Sequence, residues 1–140
     1  MTHDALNHLR DLEQNLKDWK LYLENLSPKD FLNNRKERHA LLHCVFVALQ
    51  AAIDIGNHWA SNLTSQRPES YKAIIDLLHE KRAVPSKLAK DLKGLFSLRN
   101  VLVHQYQELN LEKLFSHLKK GVVPLKAFLK LAKSKAKEQT

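Results

Sequence analysis

Tight turns are what this sequence has least material for. It holds three glycines and four prolines in 140 residues, too few for the many short connections of an all-β fold, while Leu, Lys, Ala and Glu are abundant. The composition implies an all-α protein, and the length is that of a single domain, 1–140, with a real core. The single cysteine, Cys44, excludes an intrachain disulfide. Its place in the apolar run LLHCVFVAL makes it a small core residue and suits a reducing compartment. No apolar run reaches the ~18 residues of a membrane span. The opening MTHDALNHLRDLEQNL mixes charge with apolar residues at helical spacing, unlike a signal peptide. A cytoplasmic protein without a membrane partner is expected.

Several chemistries are also missing. There is no glycine-rich phosphate loop, serine nucleophile motif, paired-carboxylate signature, HExxH pattern or cysteine cluster. His39 and His43 are one helical turn apart, as are Asp54 and His58, but an ordinary polar seam is the default for such pairs, and neither metal nor cofactor is expected. Acid is in the minority. Twenty-three Lys and Arg against fifteen Asp and Glu give a formal charge of +8, which favours encounter with polyanions such as RNA or an acidic partner. The basic segments RKER and HEKRAVPSKLAK are candidates to flank an RNA path, although such clusters are usually solvated faces. Part of the excess lies in the tail KLAKSKAKEQT, expected to fray from about residue 133.

What is present is helical periodicity. Leu6, Leu9, Leu12, Leu16, Trp19, Leu23 and Leu26 form one apolar stripe on a first helix. Ser27 can cap and Pro28 can start a short turn, after which RKERHALLHCVFVALQAAIDIGNHWASNL reads as a second, long helix. That helix is apolar around most of its circumference, so either it runs through the middle of the bundle or its second face meets another subunit. A shorter helix, YKAIIDLLHEK, follows, then KLAKDLKGLFSLRNVLVHQY with Ser86 as a plausible cap. A last helix begins near Asn110 and carries Pro124, expected to kink it. An up-and-down bundle of about five helices results.

On a helical wheel of the fourth helix, Leu88, Leu92, Leu95, Leu102 and Tyr106 share a narrow sector, and Arg99 falls near its centre. A guanidinium cannot be neutralised, so it must meet an internal carboxylate, a cleft or a bound anion. His43, Gln50, Asp54 and Asn57 line up between the two apolar faces of the second helix. They form either a satisfied polar seam in which Asp54 holds Arg99, or the lining of a cleft that turns Arg99 toward a phosphate. Ser97, Asn100 and His104 lie on the far side of the wheel. Residues five apart point about 140° away from each other on an ideal helix, so Arg99 and His104 do not converge unless the helix deforms or ends before His104, or two copies of the motif meet across a twofold axis.

The segment RNVLVHQY, with its Arg, four residues, His, any residue, Tyr pattern, resembles the motif of HepT-like HEPN-domain proteins. AIDIGNH, SYKAIIDLL, KLAKDLKGLFSLRNVLVH and the closing helix follow that family's usual order, so the resemblance covers nearly the whole chain. It implies an all-α homodimer with the two motifs facing each other in an interface cleft. It further implies the toxin of a toxin–antitoxin module, a metal-independent endoribonuclease with Arg99 and His104 as catalytic pair. Asn100, Asp54 and Asn57 would be supporting polar residues, and Tyr106 the residue that an MntA-type nucleotidyltransferase antitoxin modifies with AMP. Gln105 stands where an acidic residue is common in relatives. Two other readings share the same residues: a non-catalytic helical module that docks a nucleotidyltransferase or nucleotide, and an inert dimer with Arg99 locked to Asp54.

Overall fold

The computed structural model describes residues 3–138, all of whose regular structure is helical. Six helices follow in order: α1 (His3–Asn25), α2 (Pro28–Asn33), α3 (Arg35–Leu63), α4 (Tyr71–Glu80), α5 (Ser86–His104) and α6 (Leu111–Glu138), with a 3-10 turn at Tyr106–Glu108 between the last two. The sixth helix beyond the expected five is the turn after Ser27. Ser27 Oγ accepts from the Asp30 amide and the Asp30 carboxylate accepts from the Ser27 amide, a reciprocal cap with Pro28 in the first turn.

Helix α3 settles which of its two environments it occupies. Residues on both apolar faces are buried, including Leu42, Val45, Leu49 and Ile53 on one and Cys44, Ala48, Ala51, Ile55 and Trp59 on the other, and α3 packs against each of the other five helices. It is the axle of the bundle. By length and composition it is apolar enough to cross a membrane, but most of that stretch is buried inside the fold, as in the core helix of a soluble bundle. The side of α3 carrying His39, His43, Gln50, Asp54 and Asn57 stays uncovered to varying degrees.

Three local expectations are corrected. Leu6, counted in the α1 stripe, is 42 % exposed and Ala5 is buried beside it instead. Ser86 does not cap α5: it is already helical, and the cap position is Pro85, which has no side-chain donor or acceptor to offer. Helix α6 continues through Pro124 to Glu138. It does not fray at 133, because Lys133 Nζ donates to Glu13 Oε1 at 2.7 Å and Ala136 is buried against the core; residues 139–140 lie outside the described residues. Near its middle, α6 lies close to α1: Gly121 faces the Trp19 ring, and Trp19 Nε1 donates to the Leu118 carbonyl at 3.1 Å.

Candidate functional site

The site begins with the last turns of α5. Leu88, Leu92, Leu95 and Phe96 are buried, which fixes the helix rotation and carries Arg99 onto the uncovered side of α3. There the Arg99 Nε donates to Gln50 Oε1 at 2.9 Å and its Nη1 donates to Asn100 Oδ1 at 3.0 Å. Its guanidinium carbon lies 5.6 Å from the ring centroids of both Phe46 and Tyr71, within the range of attraction between a cation and an aromatic face. Three helices, α3, α4 and α5, therefore hold one half-buried cation.

The acceptor is neutral, which removes the alternative in which Asp54 holds Arg99 directly. Gln50 stands between them: its Nε2 donates to Asp54 Oδ1 at 3.1 Å while its Oε1 takes the Arg99 proton. The amide can face only this way, since a guanidinium has no acceptor and an ionised carboxylate has no donor. Asp54 continues the line to α1, with Oδ2 3.9 Å from His8 Nδ1. Among the described residues no carboxylate is within ion-pair distance of Arg99. Asn57 is exposed and lines, with Gln50, Asp54 and Tyr71, a hollow of about 270 Å³.

His104 is not brought to Arg99. It is the last residue of α5, and the helix closes beyond it, where the Gln105 amide donates to the Val101 carbonyl at 2.9 Å. The helix neither deforms nor ends before His104, so within one chain the two side chains point apart as the wheel requires. The imidazole is exposed and makes no hydrogen bond or ion pair among the described residues.

After Gln105 the 3-10 turn folds Tyr106 back onto α3. Its hydroxyl accepts from Arg38 Nε at 3.0 Å, and its ring meets that of His39 edge-on, 6.0 Å between centroids. Arg38 is itself anchored, with Nη1 donating to the carbonyls of Phe31 and Leu32 at the end of α2, each at 3.0 Å. The sequence reading missed Arg38 as an individual residue, offering its basic cluster only as a candidate to flank an RNA path or else a solvated face. It placed Gln50 in the polar stripe without its role, and missed Phe46 and Tyr71 as the rings against Arg99. The second basic segment stands apart, since Lys87 is some 18 Å from Arg99 along α5 at 1.5 Å per residue. No group of three or more His, Cys, Asp or Glu among the described residues is placed to hold a metal ion.

The fold is that of the HEPN toxins. A solved structure of the tri-AMPylated HEPN toxin of Shewanella oneidensis in complex with its MNT antitoxin superposes with a TM-score of 0.83 at 22 % identity, covering 96 % of this chain and 99 % of that one. The cytosolic protein YutE of Bacillus subtilis superposes with a TM-score of 0.72 at 23 % identity, covering 91 % and 90 %.

In sequence, the profile of the family described as ribonuclease HepT-like matches residues 12–132, and the chain belongs to that family. It is 38 % identical over 63 residues to the mRNA nuclease HepT of S. oneidensis, 45 % of this chain and 47 % of that protein. It is 32 % identical over 93 residues to the tRNA nuclease HepT of Aphanizomenon flos-aquae, 66 % of this chain and 63 % of that protein. The chain thus spans between about half and just under two thirds of the curated relatives it matches.

Proposed function

We propose that this chain is the toxin of a toxin–antitoxin pair, a single-domain, cytoplasmic, metal-independent endoribonuclease with Arg99 and His104 as its catalytic residues. The observation that carries the reading is the state of Arg99: half-buried, oriented by Gln50, Asn100 and two aromatic rings, and not matched to any carboxylate among the described residues. A fixed, uncompensated guanidinium suits a phosphodiester, whose non-bridging oxygens accept two hydrogen bonds and gain charge in the transition state. An inert bundle has no use for that arrangement; Asp54 in direct contact would have neutralised the cation.

The reaction is attack by the neighbouring 2′-hydroxyl. The 2′-oxygen-to-phosphorus bond forms, the bond from phosphorus to the 5′-oxygen breaks, the hydroxyl proton leaves to a base, and a proton is delivered to the departing oxygen. Imidazole exchanges protons in the neutral range and needs no metal to do so. His104, exposed and unpartnered at the end of α5, supplies that group, and a homodimer with facing motifs brings it to the Arg99 of the other copy. Tyr106 is the residue that a cognate nucleotidyltransferase of the MntA type modifies with AMP, adding a phosphate and a nucleoside that compete for the same cleft.

The test is RNA cleavage with EDTA present, comparing the purified protein with His104→Ala. Cleavage by the wild type alone, leaving 2′,3′-cyclic phosphate ends, is the expected result. Equal activity in a dimeric, unmodified pair of samples removes the nuclease reading and leaves a binding module that docks a nucleotidyltransferase or nucleotide.

A further inference from the structure

A second arginine shares the condition of Arg99. Arg38 is half-buried and pinned through neutral acceptors only, by Nη1 to the Phe31 and Leu32 carbonyls and by Nε to the Tyr106 hydroxyl, and its Nη2 edge takes no partner among the described residues. The acids nearest in sequence do not pair with it: Asp30 caps α2, and Glu37 forms no ion pair among the described residues. A guanidinium in this state is matched only by an anion from outside.

Between the two arginines lies a hollow of about 280 Å³, lined by His39, Leu42, His43, Phe46, Leu102 and Tyr106. Its α3 residues fall between Arg38 and Gln50, the anchor of Arg99, two positions separated by about 18 Å along the helix axis. Two of the lining residues are leucines and four carry flat rings, the surfaces on which a nucleobase stacks. The volume is just under the roughly 300 Å³ at which clefts for free small molecules begin, which suits one unit of a strand held from both sides.

We propose that this hollow is a nucleotide subsite for single-stranded RNA, in which the base packs among the His39, Phe46 and Tyr106 rings and Arg38 binds a second phosphodiester, further along the strand from the one held by Arg99. The choice of RNA rests on the nuclease reading, but the subsite is tested by binding, apart from cleavage. Arg35 and Lys36, exposed on the first turn of α3, extend the positive track beyond Arg38.

The experiment is a salt series of fluorescence anisotropy titrations with a labelled 2′-O-methyl RNA oligonucleotide, which lacks the attacking hydroxyl and cannot be cut. Arg38→Gln is expected to weaken binding about tenfold and to lower the slope of log affinity against log salt by about 0.7, the loss of one phosphate contact on a single strand. Lys126→Gln, an exposed site on α6 that removes the same charge, is expected to leave both unchanged. Circular dichroism checks folding; if Arg38→Gln unfolds, Arg38→Lys replaces it, expected to keep the slope while weakening binding severalfold through loss of the planar fork.

A folded Arg38→Gln with wild-type affinity and slope overturns the subsite. So does a change in sedimentation with an unchanged slope, because the hollow would then belong to a second copy of the chain. A loss of binding in Arg38→Gln alongside wild-type cleavage no greater than that of His104→Ala would retain the subsite and reject the nuclease reading.

Discussion

Arg99 and Gln50 are joined by one hydrogen bond of 2.9 Å, from guanidinium to amide oxygen, across the α5–α3 contact. The bond orients the cation without cancelling it, because Asp54, the nearby acid, is bonded to the other end of the same amide. Replacing Gln50 by Glu puts a carboxylate where the amide oxygen was. Under the nuclease reading RNA cleavage is expected to fall on the order of a hundredfold, comparable to losing one transition-state donor, while Gln50→Met, which frees Arg99 but leaves its charge, falls less. Single-turnover cleavage with matched melting curves measures both; Glu at wild-type rate would remove neutrality as the point of the arrangement.

The stability consequence runs against intuition for a half-buried charge. Breaking a buried ion pair leaves the surviving partner stranded and costs about 3–5 kcal/mol, but Arg99→Met strands no charge, since Gln50 keeps Asp54 and the two rings keep an apolar neighbour. Urea unfolding is expected to place Arg99→Met within about 1 kcal/mol of wild type, the loss of the half-buried hydrogen bond to Gln50, of the exposed one to Asn100 and of the ring contacts being offset by easier burial. A loss of several kcal/mol would mean that Arg99 is structural.

Two glycines inside helices give opposite signs. A Cβ on Gly121 would meet Leu95 Cδ2 at 2.9 Å and two Trp19 ring carbons at 3.1 and 3.2 Å, and overpacking of this kind costs about 1–3 kcal/mol, more than the ~1 kcal/mol that alanine returns in helix propensity. A Cβ on Gly94 meets nothing within 4 Å. Gly121→Ala should lower the melting temperature and Gly94→Ala should raise it.

Helix α4 ends in a turn whose third residue is not the one the geometry favours. Arg82 has φ 62°, the Arg82 amide donates to the His79 carbonyl at 2.9 Å and the Ala83 amide to the Leu78 carbonyl at 2.8 Å, the pattern that usually places glycine at this position. Arg82→Gly is expected to stabilise the fold by about 0.5–1 kcal/mol. Equal or lower stability in thermal unfolding would count against strain at that position.

Cys44 is buried on α3, and removal from water pushes its thiol above the ordinary range, with the charge of Asp18 adding to the effect. Raising the folded-state value suppresses the thiolate at neutral and mildly alkaline pH, so iodoacetamide at pH near 8 should leave the native protein unmodified and alkylate it only in denaturant. Rapid labelling of the native chain would show Cys44 to be accessible.

How much of this the sequence carried depends on which physical property it encodes. Apolar spacing reports rotation about a helix axis, and it placed Arg99 on the buried sector of α5 and the polar stripe on α3. It does not report which of two stripe residues one turn apart is nearer, and that choice separates a neutralised arginine held by Asp54 from an active one held by Gln50. Nor does it join Arg38 to Tyr106, 68 positions apart, because neither belongs to a periodic pattern that requires the other. Lysines 133, 135 and 137 read as a solvated end, whereas Lys133 pairs with Glu13 on α1, a partner invisible to local composition.

The neutral amide at position 50 also has a genetic reading. Both glutamine codons become glutamate codons by a change of the first base, so one nucleotide separates the present chain from one whose Arg99 is discharged in place, with α3 intact and RNVLVHQY untouched. In a cell where the chain acts as proposed, survivors selected without the antitoxin would carry that change alongside lesions in the motif itself, and a screen confined to the motif would overlook them.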